Sequence, residues 1–236
     1  MNRPGAVTLV ALGAAAVWCA PAPAPVLRPI ADLFRIPCRL GSDRGIAITF
    51  DDGPHPQGTP AVLEILRDAG ATATFFLVGE QVERWPALAA EIASAGHEIA
   101  LHGYRHRNLL LRTPAAIAAD LDRAAAVIGE ATGRQPACYR PPFGVFSPAG
   151  LAAVERRGWA PLLWSRWGCD WRARETPQTV ARRATRDLSS GDVVLLHDAD
   201  HYSCDGSWRT TAAALPLVLA AVAETEVPFV GVTQSM

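Results

Sequence analysis

The chain has 236 residues, half of them apolar and 19% charged, and its 22 basic and 23 acidic side chains leave a formal net charge of −1. Such a composition excludes a disordered or fibrous chain, and the charge balance excludes a nucleic-acid binder that relies on a broad basic face. Every basic residue is arginine, so mechanisms that need lysine, Schiff-base formation and Walker-type phosphate loops among them, are excluded as well.

The length suits one domain, or two small ones, able to bury a core without disulfides or a structural metal. In chain order, the first predicted element is an export segment. Arg3 precedes the apolar stretch Ala6 to Val17, then Trp18-Cys19-Ala20 and the Pro/Ala run Pro21 to Pro25. Positive charge followed by about 12 apolar residues is the shape of a signal peptide. Each small residue near the cleavage position (Ala20, Ala22, Ala24) is followed by proline, and Trp18 before Cys19 does not fit a lipoprotein box. Residues 1–26 therefore read as a signal peptide or as an uncleaved membrane anchor with a Pro/Ala linker. The protein is expected to be exported, either secreted or anchored. Cys19 lies in this segment; Cys38, Cys138, Cys169 and Cys204 follow it, with no CxxC pair. Four cysteines allow three pairings, and free thiols and disulfides both stay open.

From about residue 40 to 236 a single domain is expected. Short apolar runs read as strands at Ile46–Phe50, Thr74–Val78, Glu98–Leu101, Cys138–Arg140, Pro161–Trp164, Val193–His197 and Phe229–Val232, separated by Ala-rich segments of helical length. Five helices announce their starts at Thr59-Pro60, Trp85-Pro86, Thr113-Pro114, Ser147-Pro148 and Thr176-Pro177. Four of these pair a hydroxyl N-cap with proline at the first helical position, where its missing N–H costs nothing. Gly70, Gly96, Gly133 and Gly158 stand where helices end. Strand–helix alternation with short connections predicts an α/β fold. Its parallel sheet of about seven strands would close, or nearly close, into an irregular (β/α) barrel.

In such barrels chemistry gathers at the C-terminal strand ends. The first strand ends in Asp51-Asp52-Gly53-Pro54 and the third in His102-Gly103-Tyr104-Arg105-His106. The fourth ends in Arg140-Pro141-Pro142-Phe143-Gly144, the fifth leads into Asp170-Trp171, and the sixth ends in His197-Asp198. His102 and His106 are one helical turn apart. With a carboxylate from Asp51 or Asp52 they make a His₂Asp set with an open position, the catalytic pattern for a divalent ion. The other carboxylate suits a base, His197 on the opposite strand end suits an acid, and Arg140 and Asp170 suit charge partners to them. His197 and His201 share the same spacing as a decoy, and His201 is expected to be a solvated loop residue. His97, at the other end of its strand, is expected to be structural, and His55 is given no role. The Trp159, Trp164, Trp167 and Trp171 region offers sugar-stacking platforms, with at least two of the four expected in the core.

These residues, in this order, resemble the signatures of the polysaccharide deacetylase family, also called the NodB-homology or carbohydrate esterase family 4 fold. Thr49-Phe50-Asp51-Asp52-Gly53-Pro54 matches the first signature, His102 to His106 the second and Arg140 to Gly144 the third, with Phe143 where Tyr is common. Asp170-Trp171 and Leu195-Leu196-His197-Asp198 resemble the fourth and fifth, and Trp167 stands where an acidic residue is common. The resemblance implies Asp51 as the base and Asp52, His102 and His106 as metal ligands. The metal would be Zn²⁺, with Co²⁺ or Ni²⁺ as alternatives. It further implies His197 as the acid tuned by Asp170, and Arg140 as the residue orienting Asp51. The Phe143 N–H would bind the oxyanion, and Trp171 and Leu195 would wall a pocket for the acetyl methyl. The implied activity is removal of N-acetyl groups from an N-acetylglucosamine-containing cell-wall glycan or chitin-type polymer. A lipid-linked amino sugar, O-acetyl xylan and a non-catalytic carbohydrate-binding role are the alternatives. The implied partner is an acetylated glycan; no nucleic acid or protein partner is implied, and membrane association rests on the N-terminal segment alone.

Overall fold

The computed structural model describes residues 16–41 and 45–233. Most of the apolar stretch Ala6 to Val17 and residues 42–44 and 234–236 lie outside the described residues. Among those described, no helix is long and apolar enough to cross a membrane.

Strand β1 (Ala47–Asp51) is buried along its whole length, as a strand covered on both faces must be, and so reads as a continuous apolar run rather than an alternation. It pairs in parallel with β2 (Thr74–Leu77) on one side and β7 (Val193–His197) on the other. Beyond β2 follow β3 (Glu98–Leu101), β4 (Cys138–Tyr139) and β5 (Ala160–Pro161); beyond β7 lies β6 (Arg166–Trp167). The order β5-β4-β3-β2-β1-β7-β6 is parallel throughout. The sheet stays open between β5 and β6, giving an irregular, curled parallel half-barrel of seven strands, the α/β class that the sequence pattern predicts.

Helices α1 (Arg28–Leu33), α2 (Gly58–Asp68), α3 (Gly79–Arg84), α4 (Pro86–Ser94), α5 (Pro114–Thr132), α6 (Pro148–Glu155), α7 (Pro177–Ala184) and α8 (Ser207–Ala223) cover it. Thr113, Ser147 and Thr176 each cap a helix through the side-chain oxygen, and Gly70, Gly96, Gly133 and Gly158 all take positive φ. Thr59 does not cap. Helix α2 starts two residues earlier, with Gln57 at the N-cap, and His55 Nδ1 accepts the N–H groups of Gln57 and Gly58 in its place.

Three strand expectations change. Of the expected Pro161–Trp164 only Pro161 is strand, in β5. Phe229–Val232 forms only a single bridge, Ile46 to Phe229, because Glu98 takes the next N–H groups, those of Val232 and Thr233, with its carboxylate. The seventh strand is instead β6, two residues beside β7. All five cysteines are free; Cys38, Cys138 and Cys169 are buried, Cys19 and Cys204 exposed. Ala24, Ala31 and Ile36 belong to the core although they precede residue 40.

Candidate active site

At the C-terminal end of β1, Asp51 is the last strand residue and Asp52 turns out of it with φ +78°, a left-handed conformation rare for a side chain larger than glycine. Gly53 follows of necessity, since a Cβ there would lie 2.5 Å from the Asp198 carboxylate. The turn leaves both aspartates buried, 2% and 4% exposed. Asp51 is gripped by Arg140, whose Nη1 donates to Oδ1 at 2.6 Å. Arg140 is itself wholly buried: its guanidinium also donates to Thr49 Oγ1 and to the carbonyls of Leu162 and Leu163, and lies 3.9 Å from the Phe76 ring centre. A charge so deep is tolerable only because nearly every donor is matched.

Asp52 faces two imidazoles. Its Oδ1 lies 3.4 Å from His102 Nε2 and 3.3 Å from His106 Nε2, and it is buried with no hydrogen-bond partner. His102 Nδ1 donates to the Arg140 carbonyl at 2.8 Å, which fixes the ring plane and leaves Nε2 as the nitrogen that faces Asp52. Burial alone would raise the Asp52 pKa, but the imidazoles of His102, His197 and His106 hold it below the usual carboxylate range. Burial pushes His106 down to about 4, so its ring is neutral near pH 7. A buried carboxylate oxygen without a hydrogen-bond partner, facing two imidazole nitrogens within ligand reach of one another, is a donor set compatible with a divalent cation.

On β7, the neighbour of β1, His197 stands directly opposite Asp51 in the register. The acid and base candidates thus sit at the ends of adjacent strands rather than on opposite strand ends. His197 Nδ1 donates to Asp170 Oδ1 at 3.1 Å, while Asp170 Oδ2 accepts the His197 backbone N–H and the Thr211 hydroxyl, both at 2.7 Å. Burial alone would lower the His197 pKa, but Asp170, helped by Asp52 and Asp51, raises it to about 10. His197 is therefore a cation at neutral pH.

Asp51, Asp52, His102, His106 and His197 line one cavity of about 350 Å³, with Phe143, Trp171 and Leu195 among its walls. Arg140 and Asp170 stand behind it, holding Asp51 and His197. Phe143 sits in the short turn Pro142–Gly144 with φ +61° and presents its ring edge to His106 at 4.5 Å. Trp164, Trp167 and Trp171 form a chain of ring contacts, 5.6 and 5.9 Å between centres, that lines the cavity wall and ends 5.3 Å from His197. Tyr202 and Ser203 complete the lining. Sequence reasoning missed both, because His201 to Gly206 reads as a solvated polar loop.

The decoy histidine separates from the site. His201 is half-buried, not solvated, beside His55 and Asp200. His55 Nδ1 is used as an acceptor of backbone N–H groups, so its Nε2 carries the proton and donates to Asp200 at 3.2 Å; that tautomer cannot also ligate an ion. His97 accepts the Ala73 N–H at the far end of the sheet.

The family model for polysaccharide deacetylase matches residues 40–161. A peptidoglycan-N-acetylglucosamine deacetylase of Bacillus cereus is 34% identical over 196 residues, 82% of this chain and 88% of that protein. A chitooligosaccharide deacetylase of Azorhizobium caulinodans is 34% identical over 75% of this chain and 87% of its own length. Among solved structures, a family 4 acetyl xylan esterase from Clostridium thermocellum in complex with a cobalt ion superposes with TM-score 0.73 at 27% identity, over 80% of this chain and 88% of that one. With the parallel half-barrel and the aspartate–histidine cluster at its strand ends, these matches assign the chain to the polysaccharide deacetylase family, as a hydrolase that deacetylates carbohydrate.

Proposed function

We propose that this chain is a metal-dependent N-deacetylase acting on N-acetylglucosamine residues of a cell-wall or chitin-type glycan. The observation that carries the metal dependence is Asp52 Oδ1, buried without a partner between two imidazole nitrogens. Asp52, His102 and His106 would hold the ion, zinc first with cobalt or nickel as alternatives. When bound, the ion polarises the amide carbonyl and makes a nearby water more acidic.

The remaining work falls to the chain. Asp51, fixed by Arg140, accepts the proton of the attacking water as its oxygen bonds to the acetyl carbon. The Phe143 N–H, at the left-handed turn, donates to the developing oxyanion, an electrostatic contribution made at the moment charge appears. His197, already protonated, gives its Nε2 proton to the sugar nitrogen as the C–N bond breaks, so that acetate and a free amine leave. Trp171 and Leu195 enclose the acetyl methyl, and the half-buried rings of Trp167 and Trp171 offer a stacking face for a sugar ring.

We further propose that the protein is exported, secreted or anchored through residues 1–26, on the strength of Arg3 and the apolar stretch Ala6 to Val17. The test is acetate release by the full chain from chitin oligomers, peptidoglycan and acetylxylan, with and without a chelator. Chelator-sensitive release from an amino-sugar polymer supports the proposal. Release from acetylxylan alone overturns the substrate class, and no release with no bound metal overturns the mechanism.

A further inference from the structure

The two proposed histidine ligands are held in different ways. His102 is fixed by its Nδ1 hydrogen bond to the Arg140 carbonyl, the usual device that sets a ligand's tautomer and ring plane. Among the described residues, nothing hydrogen-bonds either ring nitrogen of His106; its Nε2 has only the Asp52 oxygen at 3.3 Å. What meets the His106 ring is aromatic. Tyr202 lies flat against it, ring centres 4.3 Å apart and planes 10° from parallel, and Phe143 abuts it at 4.5 Å with planes 67° apart.

Tyr202 is itself tightly fixed. Its hydroxyl donates to Glu80 Oε1 at 2.8 Å and accepts from Gln81 Nε2 at 2.9 Å. Both partners sit on α3, whose first N–H groups, those of Gly79 and Glu80, bond the carbonyls of Gly103 and Tyr104. Helix α3 is thus docked on the segment that leads into His106. The Tyr202 side of the loop is braced too: Asp200 takes the Gly206 N–H at 2.7 Å and meets His55.

We propose that Tyr202 is a positioning residue for the metal site, its ring holding the His106 imidazole in the ligating plane where His102 uses a hydrogen bond. The inference rests on the metal-dependent reading above. A flat partner at van der Waals distance restricts rotation about the last side-chain bond of the histidine. It also excludes water from one imidazole face, which strengthens the interaction between ligand and cation.

The test measures zinc affinity of the full chain by competition with a chromogenic chelator, without substrate. Tyr202→Leu, which removes the flat ring, is expected to weaken zinc binding about 10- to 100-fold, the range seen when a ligand's supporting group is lost. Tyr202→Phe, which keeps the ring and loses the tether to Glu80 and Gln81, is expected to stay within about threefold of the parent. Tyr202→Met serves as a second ring-free variant should the leucine protein fail to fold. Parent-like affinity in a folded ring-free variant overturns the proposal, and so does an equal loss in Tyr202→Phe, which would put the effect on the tether. A parent chain that binds no zinc overturns the metal-dependent reading itself, so the two failures are distinguishable.

Discussion

Replacing Asp170 by asparagine tests the acid side of the chemistry most directly. Asp170 is buried, and its carboxylate is shared among the His197 ring, the His197 backbone N–H and the Thr211 hydroxyl. Asparagine keeps the size and one carbonyl acceptor but removes the charge that lifts His197 from 6.5 to about 10. Burial, the largest influence on His197, would then be opposed only by Asp52 and Asp51, and a return to about the ordinary value of 6.5 is expected. At pH 8 the imidazolium fraction would fall from nearly complete to about 3%, a loss of roughly 30-fold from protonation alone. The assay is kcat/KM against pH for acetate release. The parent should decline on the alkaline side near pH 10 on His197's account, and Asp170→Asn from about pH 6 upward. The sign for stability follows the same group. Because folding raises the His197 pKa, its contribution, at most about 5 kcal/mol, is fully present below pH 6.5 and is lost as the pH rises through about 10. The gap in Tm between parent and variant should accordingly be widest near pH 6. A folded Asp170→Asn protein with the parent's alkaline limb would refute the assignment of Asp170 as the group that tunes His197.

Five other substitutions separate roles that lie close together around the cavity. Asp51→Asn is expected to reduce turnover at least about a thousandfold while leaving the metal bound, whereas Asp52→Asn and His102→Ala lose the metal too, read by elemental analysis after dialysis. Arg140→Met leaves the Asp51 carboxylate buried without its cation, and breaking such a pair costs about 3–5 kcal/mol, a fall in Tm of roughly 10 °C by calorimetry. Asp198 is pushed up to about 7 by burial, and its Oδ1 has no partner; its stabilising contribution is present below the unfolded value near 3.8 and disappears as the pH rises through about 7. Asp198→Asn removes that dependence, so urea unfolding should show it gaining on the parent between pH 4.5 and pH 8.

How much of this was legible in the sequence depended on where the information was stored. The grouping of Asp51, Asp52, His102, His106 and His197 around one cavity was readable because they follow the apolar runs of β1, β3 and β7, and a parallel barrel collects such ends at one rim. The helix starts at Thr113, Ser147 and Thr176 were readable because proline and a hydroxyl are local signals. Thr59 carried the same signal and misled, because its hydroxyl is taken up elsewhere. It accepts the His55 N–H and donates to the Asp198 carboxylate, a partner 139 residues away. Strand β6 was illegible for a similar reason: two residues have no periodicity, and Arg166-Trp167 is a strand only because β7 lies beside it. Tyr202 was the costliest omission. In sequence it is one aromatic in a polar loop, and only the fold brings its ring onto His106.

On the proposed mechanism, the register of Asp51 with His197 explains why this sheet order would serve the chemistry. Hydrolysis of an amide needs a proton removed from water on one side of the carbonyl carbon and a proton delivered to nitrogen on the other. Neighbouring strands in register hold the two backbones about one sheet spacing apart, roughly 5 Å, so that Asp51 and His197 line the same cavity side by side. The chain then makes those groups opposite in charge by what it puts behind them: a cation, Arg140, behind the carboxylate, and an anion, Asp170, behind the imidazole. Exchanging the charge of either backing residue should disable the site even with all the front-row residues intact. The burial that makes Arg140 and Asp170 effective is also what makes them hard to replace.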